Sequence, residues 1–504
     1  VSRQKTAPPT SFFPWSAAFA AAAFWLTHAL WLAQVPGLHY DEAWAGNFAA
    51  RILEGGGSFL PFTAQSPYTA AWGHYAGALA FKLFGVSLFV FRLSQALWVW
   101  VGILLGGWAL ELRSGRRAGV AFVWISGFSL AMVLNHRFAI DVNTFHVFCL
   151  GLLAWGLAIR ERYARVGLAV AGLAGWLGVT SHLGFLGPLL GLYGAAYLRG
   201  PWGRRERAFV VGFALLLLPR FAQVLVAIPE KDKAVALIAV TVAAAALGWY
   251  QPKVIRSRAF LWAREHLKAP ALVLLVTLFA VFLFFWEGHW TALFFMGGLH
   301  ARWLVGASAL LVLVLLVSRL QERGSVFRGG RTERDLRDWF LATLVVMAAL
   351  MTKPAGRYFE TCFVLFSAVL ALVLSSLPPL KARLWLACFV LVSALALEEN
   401  YLRPGREFRQ DERDVRALVF RDSTADTLPK QAVVGFLAEN GCGPAVTIAA
   451  DPRIDEALKF LARGDWEVEH RPCPWKQVLV ARESQAGKMD WIISRLSGFV
   501  LIAR

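Results

Sequence analysis

The feature that most constrains this chain is a recurring apolar run. Stretches of about 20 residues with few charges return along most of its length, separated by short basic segments. A hydrocarbon core of about 30 Å takes about 20 apolar residues to cross as a helix, so each run is a candidate membrane span. Composition agrees with that reading. The 504 residues are 58% hydrophobic and 17% charged, against about 25% charged in an average soluble protein, and the mean hydropathy is +0.53. Disordered, fibrous and ordinary cytosolic classes are excluded, because none of them repeats such runs.

A window of about 19 residues marks about thirteen spans. They are 15–33, 93–110, 118–134, 144–159, 166–179, 183–198, 208–228, 234–250, 269–286, 303–317, 339–351, 358–377 and 384–397. The net charge of +18 lies between them. From Glu398 onward about 16 basic residues face about 17 acidic ones, so the basic excess belongs to the membrane portion. It is also alternate: the N-terminus and the loops near 113–117, 160–165, 199–207, 251–268, 319–337 and 378–383 hold about 25 Lys and Arg, the remaining loops about eight. The positive-inside rule then predicts a cytoplasmic N-terminus, an outer first loop over 34–92 and an outer C-terminal segment. Residues 15–33 are too long for a signal-peptide core and lack a small-residue cleavage site, so they are expected to remain as a helix. Basic clusters between spans are topology signals, not the continuous aromatic-laced face a nucleic acid requires, and no nucleic-acid partner is expected.

After Leu397 charges appear every few residues and the apolar runs stop. Helical periodicity over 431–439 and 451–461, with short strand patterns at 445–449, 477–480 and 499–502, predicts a small α/β domain over 398–504. Cys149, Cys362 and Cys388 fall in spans as small apolar residues. Cys442 and Cys473 fall in the outer segment, where they either pair as a disulfide or remain two separate thiols.

Ionisable residues at the outer membrane surface carry the chemistry. Asp41 and Glu42 stand just beyond the first span and open an amphipathic stretch to Leu53 that ends in Gly55-Gly56-Gly57. Acids also suit a helix start, so capping alone explains Asp41 equally well. Asp141, after Asn135-His136-Arg137, has the same alternative for the helix beginning near Thr144. Lys353 and Arg357, next to Tyr358, either snorkel at the interface or meet an anionic phosphate. His182, Glu287, His289 and His300 lie near outer span ends with no metal-ligand spacing, and no Asp-x-Asp motif is present.

The order of these groups is more specific than any one of them. Asp41-Glu42, the amphipathic stretch, Ser66-Pro67-Tyr68, Lys82-Leu83-Phe84-Gly85 and Phe91-Arg92-Leu93 follow one another into the second span. This resembles the GT-C glycosyltransferases of the protein O-mannosyltransferase and lipid A aminoarabinose transferase type. Asp141 resembles that family's second-loop acid, and Arg357-Tyr358 its late Arg-Tyr pair. The resemblance implies an all-α polytopic GT-C-like membrane domain over 1–397 with about thirteen transmembrane helices, followed by the α/β extracytoplasmic domain over 398–504. It further implies transfer of a sugar from a polyprenyl-phosphate donor to a glycan, lipid or protein acceptor at the outer face of a bacterial inner membrane. Asp41 then serves as base, with Glu42 and Asp141 orienting the acceptor, tuning Asp41 or helping to hold a divalent cation (Mg or Mn). Arg137, Lys353, Arg357 and Tyr358 become candidates for the donor phosphate. Ser66 stands where the aminoarabinose transferases have a lysine before the proline, so His74 joins those candidates. A lipid-linked-glycan flippase and a glycan ligase or polymerase of another membrane fold are the competing classes. The first is disfavoured by the absence of two repeated halves, the second by the early position of the long loop.

Overall fold

In a computed structural model, the described residues are 15–257 with short gaps, 330–350 and 360–397. Scattered positions within 258–329, four strands and a few single positions in the last hundred residues complete them. The helices are α1 (Trp15–Ala29), α2 (Tyr40–Leu53), α3 (Trp72–Phe84), α4 (Leu88–Ser114), α5 (Arg116–Phe128), α6 (Leu130–His136), α7 (Phe145–Ile159) and α8 (Ala164–Ser181). After a 3-10 turn at Leu183–Phe185 come α9 (Leu186–Tyr197), α10 (Arg204–Ala227), α11 (Lys231–Val254), α12 (Arg331–Leu350), α13 (Glu360–Ser375) and α14 (Pro379–Leu397).

Eleven of the predicted spans coincide with these elements. The third is divided at Ser129 into α5 and the short α6, which hydropathy cannot register because both pieces are apolar. Span 269–286 and almost all of 303–317 lie outside the described residues. Two described helices, α4 and α8, are long and apolar enough to cross a membrane by themselves; α7, α9 with its 3-10 turn, and α13 are shorter apolar helices.

The packing is that of a protein in lipid. Its interior is apolar, with Phe24, Val99, Ile103, Val147, Phe185 and Phe221 fully buried. Its exterior is apolar too: Leu97, Trp108, Leu173, Leu215 and Leu391 are all more than 40% exposed. Without a hydrophobic drive between helices, close approach of backbones holds them together. Gly102 of α4 and Gly151 of α7 show this: a Cβ on either would meet the other helix's backbone.

The first loop carries α2, a hairpin of β1 (Phe62–Thr63) and β2 (Ser66–Ala70), and α3. The Pro-aromatic stretch Ser66-Pro67-Tyr68 opens β2. Gly85 sits at φ +83°, a left-handed turn that ends α3 and lets Ser87 cap α4 through its side chain to the Val90 N–H (3.2 Å).

In the C-terminal segment, β3 (Thr447–Ala449), β4 (Val478–Arg482), β5 (Ile492–Leu496) and β6 (Phe499–Ala503) form one sheet in the order β3-β4-β6-β5. The β3–β4 pair is parallel and the other two are antiparallel. Three of these strands match the predicted ones; β5 was not anticipated, since Ser494 and Arg495 interrupt its apolar pattern. The helices expected over 431–439 and 451–461 lie outside the described residues apart from isolated positions, as do Cys442 and Cys473.

Candidate functional site

Asp41 and Glu42 occupy the first turn of α2, which begins at Tyr40. Asp41 therefore lies inside the helix and not at its N-cap. On a helix, residues three, four and seven apart share a face. Asp41 shares one with Trp44 and Phe48, and Glu42 shares another with Ala45, Gly46 and Ala49.

The Glu42 face is turned inward. Its carboxylate is fully buried and takes two parallel hydrogen bonds from Arg92, at 2.7 Å from Nε to Oε1 and 2.8 Å from Nη2 to Oε2. The Ala139 N–H adds a third to Oε1 at 2.9 Å. Arg92 gives a further N–H to the Leu32 carbonyl at 2.7 Å, beyond the end of α1. Such a bidentate pair fixes direction as well as distance. Glu42 thus ties α2 to α4 and to the segment after α6, while Asp41 on the neighbouring face is half-buried.

Arg137 is 1% exposed and gives N–H groups to the Thr27 carbonyl (2.7 Å) and the Leu30 carbonyl (2.6 Å). A cation suits the carbonyl-rich end of α1. Burial pushes its guanidinium down to about 9, and the nearby Arg92 charge pushes the same way. Two arginines therefore secure the C-terminal end of α1, a task for Arg137 that its sequence position did not reveal.

His74 is buried in α3, its ring standing edge-on to Trp44 (5.9 Å between centroids) and to Phe48 (5.5 Å). That places it along the Asp41 face of α2. Gln95 holds the neighbouring Gly73 carbonyl at 2.9 Å, and Thr144 donates to Gln95 Oε1 at 3.2 Å. The Trp72 indole donates to Thr180 at 2.9 Å, which ties α3 to α8. The first-loop helices are thereby pinned to the membrane bundle.

Among the remaining candidates, Asp141, Lys353, Arg357 and Tyr358 lie outside the described residues. Sequence reasoning missed Glu360, Asn135, His136 and His28 as one buried group. Glu360 accepts from Asn135 (2.8 Å) and is bonded to His136 (2.7 Å), which reaches His28 at 3.3 Å. The available signal was three ionisable side chains placed near the ends of predicted spans. Among the described residues no three His, Cys, Asp or Glu side chains converge so as to hold a metal ion.

The fold that carries this acid helix and its arginine is of the GT-C class of membrane folds, by its likeness to solved structures. The chain is similar to the crystal structure of ArnT, a lipid A aminoarabinose transferase, from Cupriavidus metallidurans in the apo state. That match covers 97% of each chain at 12% identity, with a TM-score of 0.54. The same protein bound to undecaprenyl phosphate is matched over 97% of each chain at 13% identity and a TM-score of 0.53. An oligosaccharyltransferase from Archaeoglobus fulgidus in the apo form is matched at 14% identity over 89% of this chain and 64% of that one, with a TM-score of 0.47. No protein-family model and no curated protein sequence matches the chain. At these identities the likeness establishes the GT-C fold.

Proposed function

We propose that the protein is an inverting glycosyltransferase that moves a sugar from a polyprenyl-phosphate donor to an acceptor hydroxyl. One observation carries the reading: the acid helix is locked by Glu42 onto Arg92, with Asp41 on its adjacent face, in a chain of ArnT-like fold. A hydroxyl is a weak nucleophile and needs a base as it attacks. Asp41 takes the acceptor proton while the acceptor oxygen bonds to the anomeric carbon. The bond from that carbon to the phosphate oxygen breaks, its electron pair leaves with the polyprenyl phosphate, and direct displacement inverts the centre. The leaving phosphate needs cationic stabilisation and no general acid, and Lys353, Arg357 and Tyr358 are assigned to it. His74, beside the Asp41 face, and Asp141 are assigned to substrate orientation, with Arg137 contributing positive charge from beneath. The ArnT structure that holds undecaprenyl phosphate supports a lipid-phosphate donor here. The alternation of basic loops supports a cytoplasmic N-terminus, an outer active site in a bacterial inner membrane and an outer domain over 398–504.

The test is transfer in liposomes from a panel of polyprenyl-phosphate sugars, wild type beside Asp41→Asn. Loss of a general base is expected to slow transfer by about 10²- to 10⁴-fold with donor still bound. Transfer that survives in the variant removes Asp41 as the base. Lipid-linked glycan crossing the bilayer, with no transfer from any donor, refutes the enzyme.

A further inference from the structure

The segment that closes α6 is bonded to more of the site than any candidate residue. Arg137 holds two carbonyls of α1, and the Ala139 N–H holds Glu42. Asn135 and His136 hold the two carboxylate oxygens of Glu360, the first residue of α13, at 2.8 and 2.7 Å. His136 Nδ1 lies 3.3 Å from His28 Nε2, and His28 Nδ1 lies 2.9 Å from the Phe24 carbonyl. All of these side chains are fully buried or nearly so.

The direction of this chain is fixed at one end. A carbonyl only accepts, so His28 Nδ1 carries the hydrogen towards Phe24, and in a neutral ring Nε2 is then bare. His136 must then donate from Nδ1. A single proton is left to lie between His136 Nε2 and Glu360 Oε1, while Asn135 donates to Oε2. Three helices could be joined by leucines at lower desolvation cost. Directional bonds do what leucines cannot: they fix the helices in one relative placement.

We propose that residues 135–139 form a positioning hub that sets the acid helix against the start of α13, with His136 and Glu360 as its positioning residues. The inference rests on the proposed glycosyltransferase site. Asp41 adjoins Glu42, Asp141 follows Ala139 by two residues, and Arg357 and Tyr358 precede Glu360 by three and two. The hub thus spans the base at one end and the donor-phosphate pair at the other.

Glu360→Gln, Glu360→Ala, His136→Ala and Asn135→Ala are compared in the full chain in nanodiscs. Thermal midpoint, undecaprenyl phosphate binding, and donor KM and kcat are read for each. A glutamine presents its amide N–H to His136 and its oxygen to Asn135, so Glu360→Gln is expected to keep wild-type donor KM and lipid affinity. The alanine variants at 136 and 360 are expected to raise donor KM and weaken undecaprenyl phosphate by about tenfold or more, the scale of a small misplacement. Removing a buried partner also costs stability, so their melting is expected to fall, and binding and kinetics are read below each variant's midpoint. Alanine variants that fold and keep donor KM and lipid affinity overturn the hub. So does a glutamine variant as impaired as the alanine one. If the alanines at 136 and 360 fail to fold, Asn135→Ala decides, because it removes one bond to Glu360; unchanged donor KM there refutes the proposal. A wild type that transfers no sugar refutes the enzyme, while lipid binding across the same variants still tests the hub.

Discussion

Replacing Arg92 in α4 with methionine should be among the most damaging single changes around the acid helix. The substitution keeps an unbranched apolar side chain and deletes the charge. It strips Glu42 of two hydrogen bonds and the Leu32 carbonyl of one. Glu42 is then left fully buried with the Ala139 N–H as its remaining partner among the bonds described here. Breaking a buried pair by removing one partner costs about 3–5 kcal/mol. At about 2 °C per kcal/mol for a large domain, the melting midpoint should fall by about 6–10 °C. The signature that separates this from simple loss of packing is rescue by removing the stranded charge as well. Arg92→Met/Glu42→Gln should melt higher than Arg92→Met, because the buried carboxylate that lost its partner is gone. Differential scanning fluorimetry of wild type, Arg92→Met and the double variant reads this directly. A double variant that melts no higher than Arg92→Met refutes the buried-charge argument.

Two further outcomes follow from packing. Gly151→Ala places a methyl against the backbone of α4 at Gly102, and the overpacking should cost about 1–3 kcal/mol of thermal stability; unchanged melting would show the α4–α7 crossing to be loose. Phe460, 2% exposed, lies against Phe81 and Phe91 and fills the space above Gly46 in α2. Phe460→Ala should cost about 3–5 kcal/mol and speed proteolysis of the C-terminal segment, whereas adding Gly46→Ala to it should cost less than Gly46→Ala does alone. Additive effects there would mean the ring does not dock on α2.

The membrane helices were legible because hydropathy is a sum over many residues, and single errors do not move it. The ends were less so: α4 begins at Leu88, five residues before its apolar window, because Ser87 can cap it there. The acid helix was legible from Glu42 to Leu53. The partner of Glu42 was not. Arg92 was read as part of an Arg-Leu signature, and nothing in a linear pattern says that residue 92 reaches residue 42. Arg137 was placed at the donor phosphate by its charge, yet two of its N–H groups close carbonyls at the end of α1. A charge at an outer span end thus predicts that a residue matters without saying whether it meets substrate or backbone.

Lipid makes the distinction physical. A helix that ends at the membrane surface exposes carbonyls that water or a side chain must satisfy. Burying such an end removes the water, so side chains from elsewhere must take over. Arg92 and Arg137 do this for α1, and each brings a charge that itself needs company in a dry place. Glu42 answers Arg92 and, through Ala139, fixes the segment that carries His136 and Asn135. Glu360 closes the sequence on α13. Satisfying one helix end therefore assembles a rigid polar layer directly beneath the acid helix. The same bonds that remove orphan carbonyls also hold the first turn of α2, and with it Asp41, in a fixed orientation, which is what the role proposed for Asp41, a base acting on a weak nucleophile, requires.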